Sequence, residues 1–266
     1  MRALQLERYV AGDSRVHSLD PRVKVVITVL FIVSNVLLPD GAWLAFVLGW
    51  ALVLLSSALT GLGPGYATRR SFVALPFALA AVSAIFALPG RPLFAWTLGP
   101  WHLVATDAGM IRFASIVVRS WLSVQMAILL TATTSFPDLM HALRHLRIPR
   151  LLVQITALMY RYLFVLTEEA SRLLRARAAR SARPVSGEGG GSLAWRARVA
   201  GNMAGNLFLR SYERSDRVHH AMLARGYRGE FRTLNPHLMR REDWTVGMLA
   251  MLFLLLLQVI SRTGSL

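Results

Sequence analysis

Over most of the chain the apolar positions fall in long blocks rather than in stripes. Five blocks are apolar enough to span a hydrocarbon core of about 30 Å, which takes roughly 20 helical residues. They lie at about 23–38, 42–62, 72–88, 110–131 and 244–260. The first is short, and Arg22 and Lys24 are placed to snorkel at its end. The last is the most lipid-like run in the chain. Between the third and fourth blocks, LFAWTLGPWHL sets two aromatic-apolar runs on either side of Gly99-Pro100. That spacing predicts a small hairpin or an interfacial loop with Trp96 and Trp101 at headgroup level, and a membrane-surface anchor is the preferred reading.

The pattern changes between residues 134 and 243. SFPDLMHALRHLRIP opens with a helix start: Ser135 as N-cap, Pro137 in the first turn, Asp138 against the dipole. Pro149 stops that helix and can begin another. Three helices are predicted, at about 136–146, 149–182 and 192–226, with a Gly/Ser-rich linker, ARPVSGEGGGS, at 182–192. Both long helices begin apolar and end rich in arginine. Residues 151–166 could be read as a sixth span, but they contain Gln154 and Arg161, and an arginine at a bilayer centre is costly. The preferred reading is an amphipathic helix buried in a bundle at or near the membrane surface; partial immersion is the alternative.

Composition adds the sign of the surface. The chain of 266 residues is 55% hydrophobic with a formal net charge of +16, and its mean hydropathy is +0.46. Nearly all the positive charge is arginine, because Lys24 is the only lysine. Most of the 30 basic residues lie between 134 and 243. The N-terminal segment and the loop carrying Arg69 and Arg70 are basic, whereas Pro39-Asp40-Gly41 has no cation and the loop from 89 to 107 has only Arg91. The positive-inside rule then puts the N-terminus, the second loop and residues 134–243 in the cytoplasm, with the C-terminus outside. The N-terminal stretch lacks the apolar core and cleavage site of a signal peptide. With no cysteine, zinc-thiolate sites, iron-sulfur clusters and cysteine nucleophiles are excluded.

The two long helices share an ending. Glu168, Arg172, Ala176, Ala179 and Arg180 align at a fixed offset with Glu213, Arg217, Ala221, Ala224 and Arg225, and Ser181 aligns with Gly226. In both copies Glu precedes Arg by four residues, the favourable order on a helix. Gly226 suits a C′ position, and an arginine in a last turn suits the macrodipole, so each ending alone reads as a stop signal. Two copies in one frame suggest two equivalent acidic docking sites on partners.

These segments resemble the T component of an energy-coupling factor transporter, the membrane scaffold subunit, in its cobalt-transport CbiQ form. The resemblance rests on HSLDPRVKVVITVLF, FPDLMHALRHLRIPRLLV, MYRYLFVLTEEASRLLRARAARS and FLRSYERSDRVHHAMLARGYRG, and it covers most of the chain. It implies that Arg180 and Arg225 each dock into a groove of one of two ABC ATPase subunits, with Ala179, Ser181, Ala224 and Gly226 completing the endings. Ser181 stands where glycine is common in the family. The resemblance also implies three cytoplasmic coupling helices, the two long ones crossing, and a separate metal-specific substrate-binding membrane subunit.

Negative evidence agrees. No P-loop surrounds Lys24, so ATP hydrolysis is expected from partners. No G-x-S-x-G nucleophile signature is present. His141 and His145 have the i, i+4 spacing of metal ligands, yet Arg144 and Arg147 crowd them and no H-E-x-x-H occurs. His219 and His220 point to different helix faces, and His17 and His102 are isolated. Arg112 and Arg119, seven apart on the fourth block, read either as functional intramembrane charges or as an interfacial residue and one paired inside the bundle. Aromatic residues are sparse among the arginines, so lipid headgroups suit them better than nucleic acid.

The expected protein is all-α: about five transmembrane helices plus a cytoplasmic three-helix coupling module with two long crossing helices. Its parts are residues 1–133 for the first four spans, 134–243 for the module and 244–266 for the last span. Its expected role is coupling two ATPases to a substrate-binding subunit for cobalt uptake, or for nickel or a vitamin. It is expected to be no enzyme and to hold no cofactor or metal of its own. The rival class is a basic membrane-anchored protein binding lipid or nucleic acid.

Overall fold

The computed structural model describes residues 9–63, 65–98, 101–180, 192–229 and 239–263. The chain is mostly helical and divides into two compact units, the larger covering residues up to 142 together with the C-terminal helix, the smaller covering the stretch from 143.

In the larger unit, α1 (Pro21–Val36) starts where Asp20 and Pro21 dictate. The Asp20 carboxylate accepts the Arg22 N–H at 2.8 Å, and Pro21 occupies a first-turn position that needs no donor. Gly41, at φ +80°, turns the chain into α2 (Trp43–Leu59). The third apolar block is not the single span expected at 72–88. It is broken into α3 (Gly65–Arg70), a 3-10 turn (Ser71–Ala74), α4 (Leu75–Ala81) and α5 (Ala84–Ala87), and its two halves, Gly65–Ala74 and Ala78–Phe86, bend by 57°. Pro76 supplies the reason: it has no N–H for the carbonyl one turn back, and its ring crowds that carbonyl. A hairpin follows, β1 (Pro92–Leu98) antiparallel to β2 (Trp101–Thr106), with Leu98 opposite Trp101. Of the two readings left open for this loop, the hairpin is the one observed; Gly99 and Pro100 lie outside the described residues.

The long α6 (Asp107–Thr133) is the axis of the unit. Thr106 caps it, accepting the Gly109 N–H at 3.1 Å while donating to the Leu88 carbonyl at 2.8 Å. Gly109 is required here: a Cβ would stand 2.2 Å from the Ile85 carbonyl oxygen. Contacts at matched levels fix the directions of the helices. Lys24 meets Thr133 and Asn35 meets Arg119, so α1 runs antiparallel to α6. Gly41 meets Ser115 and Gly49 lies against Leu122, so α2 runs parallel to α6. Asp20 meets Asp243 and Ser34 meets Gln258, so α1 runs parallel to α10 (Arg241–Thr263). The starts of α1 and α10 and the end of α6 therefore share one side. Phe31, Phe46, Val53, Leu122, Met126, Leu129, Leu254 and Leu257 form the core between these helices.

Helix α7 (Phe136–His145) bridges the boundary of the units. Ser135 donates to the Asp138 carboxylate at 2.6 Å, the start signal read from the sequence. The smaller unit contains α8 (Arg150–Arg180) and α9 (Leu193–Ala224). Three helices among the described residues, α6, α8 and α10, are long and apolar enough to cross a membrane, and the bent pair would make a fourth. With 16 and 17 residues, α1 and α2 are shorter than that length.

Candidate functional site

The repeated endings occupy the last turns of α8 and α9. Ala179 and Arg180 close α8, and both are exposed. Ser181 and the linker to residue 191 lie outside the described residues. Ala224 closes α9, Arg225 is its C-cap, and Gly226 follows at φ +79°. The Gly226 N–H donates to the Leu223 carbonyl at 2.9 Å and the Tyr227 N–H to the Met222 carbonyl at 3.0 Å. These are the two bonds of a Schellman motif, which satisfies carbonyls the helix end leaves over. Ala224, Arg225 and Gly226 are all exposed. The glycine thus ends the helix as the stop-signal reading expects, and the arginine before it is left projecting.

The small residues before the arginines are exposed too, at Ala176, Ala179, Ala221 and Ala224. Each copy carries its internal ion pair: Arg172 to Glu168 at 2.7 Å and Arg217 to Glu213 at 3.8 Å. The donated hydrogen bond and the charge of Arg172 hold the Glu168 carboxyl below its usual range. These pairs leave Arg180 and Arg225 as the terminal charges of their helices.

Three contacts show how α8 and α9 are arranged. Arg177 stands over the Trp195 ring at 5.8 Å. Arg210 donates to Glu169 at 2.7 Å. Tyr227 donates through its hydroxyl to the Gln154 side-chain carbonyl at 3.1 Å, and Gln154 donates in turn to the Gly229 carbonyl. As residue numbers fall along α8 they rise along α9, so the helices are antiparallel. The two endings therefore lie at opposite ends of the pair. The end of α9 is tied to Gln154, and Arg180 is about 26 residues further along α8, hence roughly 40 Å away at about 1.5 Å per residue. The sequence repeat was legible; Tyr227, Glu169 and Arg210 were not singled out, and Gln154 was noted only as a polar residue in an apolar run, because pairing between distant segments leaves no periodic signal.

Burial in a bundle, expected for residues 151–166, is not found. Val153 is the only buried residue of α8, and α9 has none. Leu151, Leu152, Ile155, Met159 and Leu163 are all exposed, as are Phe208, Leu209 and Tyr212 on α9. Spacings of three and four residues line the α8 set along one apolar stripe.

The other sequence candidates have partners elsewhere. Arg22 donates to His141 Nε2 at 3.2 Å, so that nitrogen is an acceptor and the ring faces a cation. His220 pairs with Asp216 at 3.5 Å. Arg119 donates to the Leu38 carbonyl at 2.6 Å and to Asp40 at 2.8 Å, and Arg112 approaches Asp40 at 4.0 Å. Arg119 is thus paired, and Arg112 approaches the same half-exposed carboxylate.

Comparison with known proteins bears on the whole chain. The family CbiQ, described as cobalt transport protein, matches residues 12–236. The energy-coupling factor transporter transmembrane protein EcfT of Lacticaseibacillus paracasei is 29% identical over 97% of this chain and 99% of its own. EcfT of Listeria innocua is 30% identical over 86% of each chain. An uncharacterised protein of Methanocaldococcus jannaschii is 27% identical over 89% of this chain and 78% of its own. With apolar helices of spanning length and a match over most of its residues, the chain is a transporter membrane component that belongs to the CbiQ family of cobalt transport proteins.

Proposed function

We propose that this chain is the non-catalytic coupling subunit of an energy-coupling factor transporter. Arg180 and Arg225 dock two ABC ATPase subunits, and the apolar faces of α8 and α9 seat a substrate-binding membrane subunit. The observation that carries the reading is the pair of matched, exposed helix endings on an antiparallel α8–α9 pair. ATP binding draws the two ATPases together, and the two helix ends move with them. The α8 stripe from Leu151 to Leu163 and the surface around Met203, Leu207 and Phe208 form the seat, where Gly201, Ala204 and Gly205 permit close sliding contact. Residues 134–243 act as the cytoplasmic module. Cobalt is the proposed substrate, supported by the family's description; nickel and a vitamin are the alternatives that an uptake assay separates.

The test is co-purification from membranes with the candidate ATPases, wild type against Arg180→Glu/Arg225→Glu. Breaking a buried charge pair costs roughly 2–5 kcal/mol per interface. The expected outcome is loss of ATPase retention and of ATP-driven uptake, with normal membrane insertion. Undiminished retention in the double variant would reduce the endings to helix stops and end the docking proposal.

A further inference from the structure

Among the described residues, buried charges gather at one place in the larger unit. It lies where α1 and α10 begin and α6 ends. Lys24 is 8% exposed, and Asp20 and Asp243 are each 4% exposed. Lys24 Nζ donates to the His17 carbonyl at 3.0 Å and the Thr133 carbonyl at 3.2 Å. The Asp243 carboxylate accepts the Asp20 N–H at 2.9 Å and the Arg240 N–H at 2.8 Å. Asp20 and Asp243 both sit at helix starts, where the dipole favours a negative charge. The Asp20 carboxylate accepts the Arg22 N–H at 2.8 Å, so Asp20 and Asp243 both bind N–H groups of the α1 start.

The His17 segment is itself tied down. The Ser14 hydroxyl donates to His17 Nδ1 at 2.6 Å, and His17 Nε2 donates to the Val10 carbonyl at 3.0 Å. Val10 N–H in turn donates to the Ala132 carbonyl at 3.0 Å. One lysine thus gathers the segment before α1 and the end of α6, and Asp243 ties the start of α10 to that of α1. Arg22 extends the set to α7 through His141. Helix α7 carries the chain from the larger unit to the smaller. Its exit turn holds Arg147 at φ +63°, the one non-glycine residue with positive φ among the described residues.

We propose that Lys24, Asp20 and Asp243 form a charge lock that fixes the launch point of α7, with Arg22 and His141 as its outer latch. This rests on the coupling role proposed above. Movement of α8 reaches the membrane helices through α7, and it does mechanical work only if the near end of α7 is held. Lys24 and Arg22 are positioning residues in this scheme; neither touches ATPase or substrate.

The experiment uses the full transporter in proteoliposomes and measures ATPase retention, ATP hydrolysis and substrate uptake separately. Lys24→Met is expected to retain the ATPases and hydrolyse ATP, while uptake per ATP hydrolysed falls at least about fivefold, the low end of a typical coupling free energy. Where Lys24→Met inserts poorly, Arg22→Gln and His141→Leu loosen only the latch. Each should lower uptake per ATP, and the pair should lower it no further than either alone. Hydrogen exchange in α7 should quicken in all of them. A merely structural role would reduce the yield of assembled transporter and leave uptake per ATP unchanged, which overturns the lock alone. Failure of the wild-type chain to retain ATPases would overturn the coupling role and the lock together.

Discussion

The two units solve opposite problems with similar residues. In the larger unit, several polar and charged side chains turn inward and find partners: Lys24 with backbone carbonyls, Asp243 with backbone N–H groups, Gln258 with Ser34, Asn35 with the α6 backbone, whereas the buried Gln125 amide has none. Its apolar residues face outward as often as inward, with Leu249, Leu252 and Leu255 on α10 more than half exposed. That is the surface of a body solvated by lipid. In the smaller unit, α8 and α9 leave both their arginines and their leucines uncovered, and the contacts that join them are long side chains reaching across. The first unit has a buried core of its own, whereas α8 buries only Val153 and α9 buries nothing.

This contrast can be broken or sharpened at named positions. The largest effect is expected in the lock. Asp243→Ala removes a buried carboxylate from two N–H groups and should destabilise the larger unit by about 3–5 kcal/mol, read as a lower thermal transition in detergent. A shift near zero would mean that the charges are solvated and the inward-polar description fails. Next is Gly109→Ala. The added methyl meets the Ile85 carbonyl and should cost about 1–3 kcal/mol, because α5 and α6 have no room to part.

The same substitution should change sign in the smaller unit. At Gly205 an added Cβ meets nothing within 4 Å. Gly205→Ala should therefore stabilise isolated α9 by about 1 kcal/mol through helix propensity, measured by thermal unfolding of the full chain alone. In the assembled transporter the proposed seat predicts the reverse, weaker capture of the substrate-binding subunit. The smallest effect belongs to Glu168. Its carboxyl is held below the usual range by Arg172, so the pair's contribution is present above the ordinary glutamate pKa and disappears as pH falls through the lowered value. Helicity of α8 followed by circular dichroism should drop slightly over that acid window in wild type and not in Glu168→Gln.

What the sequence made legible was local. Ser135 and Asp138 started α7 and Gly226 ended α9, because caps act over three or four residues; the Asp20-Pro21 start of α1, equally local, was not read. The blocks of apolar residues marked four of the helices of the larger unit to within a few positions. The break at Pro76 was missed because hydropathy averages over a window and does not register one absent N–H. The pairing of Asp20 with Asp243 joins residues at opposite ends of the chain, and nothing in either neighbourhood announces the other. The repeat was legible as text, whereas the antiparallel placement of its two copies was not.

That placement has a geometric consequence. Two like helices lying antiparallel are exchanged by a half-turn about an axis perpendicular to both, and the half-turn carries Arg180 onto Arg225. A single polypeptide, which has no symmetry of its own, thereby imitates a homodimer at its two tips. Two copies of one partner would meet the two arginines as equals, while Arg177 and Ala178 against Met222 and Leu223, and Ser181 against Gly226, are marks by which two unlike partners could tell the tips apart.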